Sequence, residues 1–382
     1  MSVNAIINSR NGCHPLCPGC THGKMSHQQS LAVKQQRLAK QLAPWSDRLA
    51  PVRTVPPEAR WRYRSNVCLK TAWDASGWRF GLVARKTVIP IHDCPVHTEP
   101  VCRAVAILAE KLPAGMVFPL VYYLQSGAQA TLVVKQNTLP DMSWLNAETV
   151  SRLETAGIEG LWVHLHPAAG KRVLGKKGWR LAWGRPASAG SDGLECGPVA
   201  FRQVIGPLAD QALSTAETFL NPRPEDLMID LYCGIGAGLV RWTRKQCHTI
   251  GVELGQEAVS CARRNAPAAT LLRGRCGLRL PQLTAWIDSR PAAGKPARLL
   301  YANPPRTGIE DTVLKWIISD YRPDRIAYLS CNAAGLSRDL SFLTSNGYEV
   351  NALSPFDFFP RTHHVECLAL LTAVSGNTVL SA

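Results

Sequence analysis

Cys331 ends an apolar run, Ile326 to Leu329, in the segment Tyr328-Leu329-Ser330-Cys331-Asn332. A parallel strand there would deliver its thiol to a ligand crevice. Asn303-Pro304-Pro305-Arg306 follows an earlier apolar run, Glu366 lies near the carboxyl terminus, and a glycine-rich loop surrounds Gly234. A thiol, a carboxylate and a nucleoside loop are the equipment for methylating carbon 5 of a pyrimidine. That carbon is a poor nucleophile. A thiolate adding to carbon 6 makes carbon 5 enolate-like and able to take a methyl group. A base then removes the carbon 5 proton so that the thiol can leave, which is covalent plus general-base catalysis. Cys331 is the candidate nucleophile and Glu366 the candidate base. Taken singly, each has a plainer reading, as a buried filler thiol and a surface acid. Their conjunction with the Asn-Pro-Pro-Arg turn favours the chemistry.

Such groups must be brought together by a scaffold. From about Phe201 onward, strand and helix patterns alternate. Apolar runs predict strands at 227–232, 249–252, 269–273, 298–302 and 326–330, with helices at 238–246 and 256–265. Segments 348–353 and 365–374 close the chain as strands. The order implies an α/β, doubly wound, Rossmann-like parallel sheet with an antiparallel hairpin at one edge. Cys233, Glu253, Asn303 and Cys331 then fall at the carboxyl ends of four different strands, where such sheets bind ligands.

Asp230-Leu231-Tyr232-Cys233-Gly234-Ile235-Gly236-Ala237-Gly238 follows the first of these strands and opens a helix. Glycines allow a sharp turn and close approach to a ligand. Glu253 ends the next strand, where an acid binds ribose hydroxyls. A dinucleotide site would place glycine where Leu239 stands. S-adenosyl-L-methionine, which carries no phosphate, needs no such cradle.

The net charge of +15 and pI near 9.4 favour a polyanionic partner, nucleic acid first. Met1 to Arg10 is too polar for a signal peptide. No run of about 20 apolar residues exists, so no membrane span is expected. Thirteen cysteines without a secretion signal point to reduced thiols, metal ligands or a nucleophile in the cytoplasm rather than to disulfides. Three segments are expected: a basic, cysteine-bearing stretch 1–55 with a helix at 28–42; a central α+β, RNA-binding domain 56–195 with strands at 61–69, 78–84, 120–124, 130–135 and 160–165 and a helix at 101–112; and the doubly wound domain 196–382. Ala187 to Gly193 reads as a hairpin or linker.

Four motifs carry a family resemblance: Asp230 to Gly234, Asn303-Pro304-Pro305-Arg306-Thr307-Gly308-Ile309, Ser330-Cys331-Asn332-Ala333, and Phe359-Pro360-Arg361-Thr362-His363-His364-Val365-Glu366. They resemble the RNA uracil-C5 methyltransferases. Asn303 and Ala333 stand where most members read Asp and Pro, and look most like the branch named for uracil-747 of 23S ribosomal RNA. The resemblance implies a class I methyltransferase fold. It also implies an S-adenosylmethionine site lined by Gln203, Tyr232, Gly234, Glu253 and Asn303, with Cys331 as nucleophile and Glu366 as base. Arg361 replaces a usual histidine, and Ala237 stands where many members carry Asn.

Cys13, Cys17 and Cys20 lie within eight residues, a ligand spacing. The spacing leaves four readings open: a Cys17–Cys20 redox pair, a zinc site recruiting His14 or His22, a radical S-adenosylmethionine cluster, and a closed [4Fe–4S] cluster with a remote fourth ligand. His92-Asp93-Cys94-Pro95-Val96 resembles the family's remote cysteine segment, which makes Cys94 that ligand in the last reading. Lys171-Arg172 and Lys176-Lys177-Gly178-Trp179-Arg180 could meet RNA phosphates and stack on an unpaired base, or form a solvated hairpin. The leading expectation is a monomeric enzyme acting on a flipped-out uracil of ribosomal RNA. The alternatives are a transfer-RNA uracil methyltransferase, an amino-group methylase (disfavoured by Arg at 306, where an aromatic is needed), and an inactive RNA-binding or assembly factor.

Overall fold

Strand order decides whether four separate strand ends can meet, and it does so here in one of two compact units. The computed structural model describes residues 12–170, 172–290 and 296–374. One unit takes Met1–Ser26 with Pro56–Ile205, the other His27–Val55 with Gly206–Ala382. This departs from the expected three segments. Helix α1 (His27–Gln41) belongs with the carboxyl-terminal residues, because Leu38 and Leu42 are fully buried in the core of that unit. The later boundary falls after Ile205 rather than after 195.

In the first unit, strands β1 (Asn66–Asp74), β2 (Gly77–Ala84) and β3 (Thr87–Pro90) form an antiparallel meander. Helix α2 (Glu99–Lys111) precedes the hairpin of β4 (Leu120–Ser126) and β5 (Gln129–Val134). Helix α3 (Ala147–Thr155) then crosses over to β6 (Gly160–Leu165), which runs parallel to β5, and β7 (Trp179–Gly184) closes the edge. The sheet order is β3-β2-β1-β4-β5-β6-β7. Val101, Leu108 and Leu153 of the helices pack on one sheet face with Leu69, Phe80, Leu132 and Val163. β1 starts later than the predicted 61–69 strand, because Arg62 adopts a positive φ of 52° that interrupts an extended run. A two-stranded ribbon, β8 (Ser188–Ala189) and β9 (Glu195–Cys196), occupies the expected hairpin.

The second unit opens its carboxyl-terminal part with α4 (Gly206–Leu220). There follow β10 (Leu227–Leu231), α5 (Ala237–Arg244), β11 (His248–Glu253), α6 (Gln256–Asn265), β12 (Thr270–Arg273), α7 (Leu280–Asp288) and β13 (Arg298–Ala302). Last come α8 (Asp311–Trp316), β14 (Arg325–Ser330), α9 (Ala333–Thr344), β15 (Tyr348–Phe356) and β16 (Glu366–Ala373). The sheet runs β12-β11-β10-β13-β14-β16-β15; its first five strands are parallel, and β16 is antiparallel to both neighbours. This is a doubly wound parallel sheet with a terminal antiparallel hairpin. β10 and β13 are apolar almost throughout because helices cover both faces of a parallel sheet. The order reverses between β10 and β13, so a crevice opens beyond their carboxyl ends.

Candidate active site

Cys331 directly follows β14, and Glu366 is the first residue of β16. The antiparallel register pairs Ser330 with Cys367, so the thiol and the carboxylate belong to adjoining positions on neighbouring strands. Glu366 is buried and Cys331 half-buried. Burial pushes the Cys331 thiol above its ordinary range, the Glu366 charge raises it further, and Arg306, through its charge and a side-chain hydrogen bond, pulls it back. The structure thus brings together the two predicted catalytic residues and adds a third, Arg306, whose cation favours the thiolate.

Arg306 is held by a latch from α9. Asn332 caps that helix, accepting from Ala334 N at 3.2 Å, and its Nδ2 donates to the Arg306 carbonyl at 2.8 Å. Arg338 Nη2 donates to the Thr307 carbonyl at 2.9 Å. Asp339, fully buried, accepts from Ile309 N at 2.9 Å and from the Tyr328 hydroxyl at 2.7 Å. The Asn-Pro-Pro-Arg turn is therefore tied to the helix that begins just after Cys331 and Asn332.

Arg306→Met is expected to move the pH profile of thiol attack toward alkaline pH. Removing a cation raises the pKa of a neighbouring thiol, so less thiolate exists at neutral pH. One unit of upward shift would slow attack roughly tenfold there. Adduct-formation rates measured between pH 6 and 10 check this; an unmoved profile would mean that Arg306 does not act on the thiol.

On the cofactor side, Tyr232 leaves β10 with a positive φ of 60°, a costly conformation for a bulky residue, and the glycines at 234 and 236 continue the turn. Its hydroxyl accepts from Glu310 N at 3.4 Å. Glu253, at the end of β11, accepts from Gly234 N at 3.1 Å and from Gly255 N at 2.6 Å. Its carboxylate thus ties the glycine loop to the next strand and keeps lone pairs for a ligand. Asn303 follows β13 and donates its backbone N–H to the Leu231 carbonyl at 3.2 Å. Leu254 and Leu278, beyond the ends of β11 and β12, are 61% and 71% exposed. Gln203 lies in the first unit, near its carboxyl end.

Asp230 was not among the predicted site residues. It is fully buried, and Trp242 Nε1 donates to its Oδ2 at 2.9 Å. Oδ1 has no partner. Burial, reinforced by the Glu253 charge and offset in part by the Trp242 bond, pushes its pKa up to about 7. Gly238 is required above it: a Cβ there would lie 2.4 Å from Asp230 Oδ2. The signal in the sequence was an acid inside the otherwise apolar strand Leu227–Leu231, since buried acids need a reason.

The amino-terminal cysteines are placed beside Cys94. Gly12 has a φ of 92°, and a Cβ on it would sit 2.4 Å from the Asp93 carbonyl oxygen, so the segment runs against the loop holding Cys94. The Cys17 thiol is raised by burial and by the charges of Cys20 and Cys13, and Cys94 is pushed up to about 11 by burial, with Cys20 and Cys17 adding. Among the described residues, however, no three His, Cys, Asp or Glu side chains are assembled into a metal-binding group. The donor chemistry of the four thiols fits a thiolate-bound centre.

The basic stretch of the first unit connects β6 to β7. Trp179 stacks on the buried His164, with centroids 4.1 Å apart, and meets Trp162 edge-on. Gly175 N donates to His164 Nε2 at 2.8 Å, and the Tyr122 hydroxyl to the Gly170 carbonyl at 2.5 Å. Trp179 is thus a fixed ring with one face already used. Arg172, Lys176, Lys177 and Arg180 are exposed; Lys171 lies outside the described residues. Among those residues no helix is long and apolar enough to cross a membrane.

The family model described as tRNA (Uracil-5-)-methyltransferase matches residues 297–374. A 23S rRNA (uracil(1939)-C(5))-methyltransferase of Pseudomonas entomophila is 30% identical over 387 residues, covering 94% of this chain and 78% of that protein. A Synechocystis protein named as an uncharacterized RNA methyltransferase is 27% identical, over 94% of this chain and 81% of its own length. The crystal structure of Pyrococcus abyssi tRNA (uracil-54, C5)-methyltransferase in complex with S-adenosyl-L-homocysteine superposes with a TM-score of 0.67. It is 20% identical and covers 94% of this chain and 86% of that one, a likeness of fold.

Proposed function

Because the chain belongs to the RNA uracil-C5-methyltransferase family, we propose that it methylates carbon 5 of a uracil in 23S ribosomal RNA with S-adenosyl-L-methionine. The observation that carries this reading is the adjoining placement of Cys331 and Glu366, with the thiol under the opposed influence of Glu366 and Arg306. A flipped-out uracil enters the crevice. The Cys331 thiolate adds to carbon 6, and the electron pair of the 5,6 double bond moves toward carbon 5. Carbon 5 takes the methyl group. The Glu366 carboxylate then accepts the carbon 5 proton, the double bond re-forms, and the carbon–sulfur bond breaks to return the thiolate.

Bound S-adenosylmethionine supplies the electrophilic methyl. The crevice suits it: the Glu253 carboxylate at the end of β11 offers an acceptor, and the exposed Leu254 and Leu278 offer apolar cover for a base. Tyr232, Gly234 and Asn303 line the same strand ends. Exposed Arg172, Lys176, Lys177 and Arg180 beside the fixed Trp179 suit an RNA strand. The enzyme is read as a cytoplasmic monomer.

Ribosomal RNA is favoured by the relative named for uracil 1939 and by the Asn303 and Ala333 variants, which resemble the uracil-747 branch. Mapping 5-methyluracil by mass spectrometry in a strain lacking this chain tests the assignment. Loss at one position of 23S RNA is expected, and the position decides between 747 and 1939. Loss confined to transfer RNA, or no loss, contradicts the ribosomal assignment.

We also propose that Cys13, Cys17, Cys20 and Cys94 hold a [4Fe–4S] cluster; no catalytic step is assigned to it. Anaerobically purified protein is expected to be brown with broad visible absorption, and Cys17→Ser to lose it. A colourless protein carrying zinc would refute the cluster.

A further inference from the structure

A buried ion pair lies behind the base. Helix α1 is polar, yet its Lys34 is 1% exposed, and a buried lysine requires partners. Lys34 Nζ is 2.5 Å from Asp357 Oδ1 and donates to the Phe359 carbonyl at 3.2 Å. The two residues are 323 positions apart in sequence and share one unit.

Their location is what matters. Asp357 follows Phe356, the residue whose register partner is Glu366. It opens the nine-residue turn from 357 to 365 that delivers Glu366 to β16. The Phe359 carbonyl also accepts from Thr362 N at 3.2 Å and Thr362 Oγ1 at 2.9 Å, and Thr362 Oγ1 accepts from His364 N at 3.2 Å. A hydrogen-bonded path therefore runs from Lys34 through Phe359 and Thr362 to His364, two residues before the base. On the other leg, Asp357 N donates to the Arg53 carbonyl at 2.8 Å, and the Arg53 guanidinium lies 5.3 Å from the centre of the Phe356 ring.

Stability alone does not account for this pair. Removing two charges from water costs about as much as their attraction returns, and Asp357 Oδ2 is left buried without a partner. Burial dominates both groups, pushing Lys34 down and Asp357 up despite their contact. What the pair does supply is a fixed shape for the turn.

We propose that Lys34 is a positioning residue for Glu366, pinning the 357–365 turn through Asp357 and Phe359 so that the carboxylate meets the carbon 5 proton. This rests on the methyltransferase reading above. Two steps separate the claim from a merely structural role. Attack by Cys331 on 5-fluorouracil RNA ends in a stable adduct, because fluorine replaces the proton that Glu366 would take. Turnover on ordinary RNA needs that proton removed.

The variant to read is Lys34→Met combined with Asp357→Leu, which replaces the ion pair by apolar groups of similar volume and should stay folded. Lys34→Met alone leaves a buried charge and is expected to melt earlier. With 23S RNA from a strain lacking the chain, the double variant is expected to turn over roughly 10²-fold more slowly, the cost of misplacing a group by about an ångström. Covalent adduct should accumulate on that ordinary RNA, while adduct formation with 5-fluorouracil-substituted 23S transcript stays near the parental rate. A parallel fall in both rates, or unchanged turnover, overturns the proposal. Absence of any 5-fluorouracil adduct with the unsubstituted protein overturns the methyltransferase reading instead.

Discussion

Cys331→Ala is expected to abolish methyl transfer and covalent adduct formation together, while RNA binding persists. Carbon 5 of uracil becomes nucleophilic only when a thiolate adds at carbon 6, so no slower parallel route remains through this site. A loss on the order of 10⁴-fold or more is predicted, as for other enzymes deprived of their nucleophile. The fold should survive, because the residue is half-buried at a strand end and Ala deletes one sulfur, at a cost of about 1 kcal/mol. Methylation assays on 23S RNA beside an RNA-binding titration check both halves. Retained methylation in the Ala variant would remove Cys331 from the mechanism.

Glu366→Gln has the opposite signature: adduct forms but does not resolve. Gln keeps the volume of a buried side chain and removes only the base. General-base catalysis contributes typically 10²–10⁴-fold, so resolution should slow by that amount. Attack should not slow. The Glu366 charge raises the Cys331 thiol pKa, so neutralising it lowers that pKa and shifts adduct formation toward lower pH. A slow-migrating protein–RNA band on denaturing gels, formed with unsubstituted uracil, is the expected observation. Equal loss of adduct and product would assign Glu366 a structural role.

Much of the carboxyl-terminal unit was legible in the sequence because parallel strands covered on both faces are written as apolar runs. The runs beginning at Leu227, Arg298 and Ile326 became β10, β13 and β14, and the ends of those strands position Tyr232, Asn303 and Cys331. Two kinds of feature escaped. Helix α9 carries Gly, two Ser and Thr in twelve residues, a weak helical composition. It is held by burial of Leu336, Leu340 and Leu343 and by the Asn332 cap. Contacts between distant residues also have no periodicity to betray them. The pairing of Lys34 with Asp357, the latch of Asp339 on Ile309, and the burial of Leu38 and Leu42 against the sheet all depend on the finished fold. For that reason residues 1–55 read as one segment, although the structure divides them after Ser26.

The central claim is that Cys331 becomes covalently joined to a uracil. The most direct test is to incubate the protein with 5-fluorouracil-substituted 23S transcript and S-adenosylmethionine, digest the product, and locate the nucleotide by peptide mass spectrometry. The account predicts a methylated fluorouridine adduct on the peptide containing Cys331, absent in Cys331→Ala. A preparation that methylates ordinary RNA yet forms no adduct, or forms one on another cysteine, would contradict it.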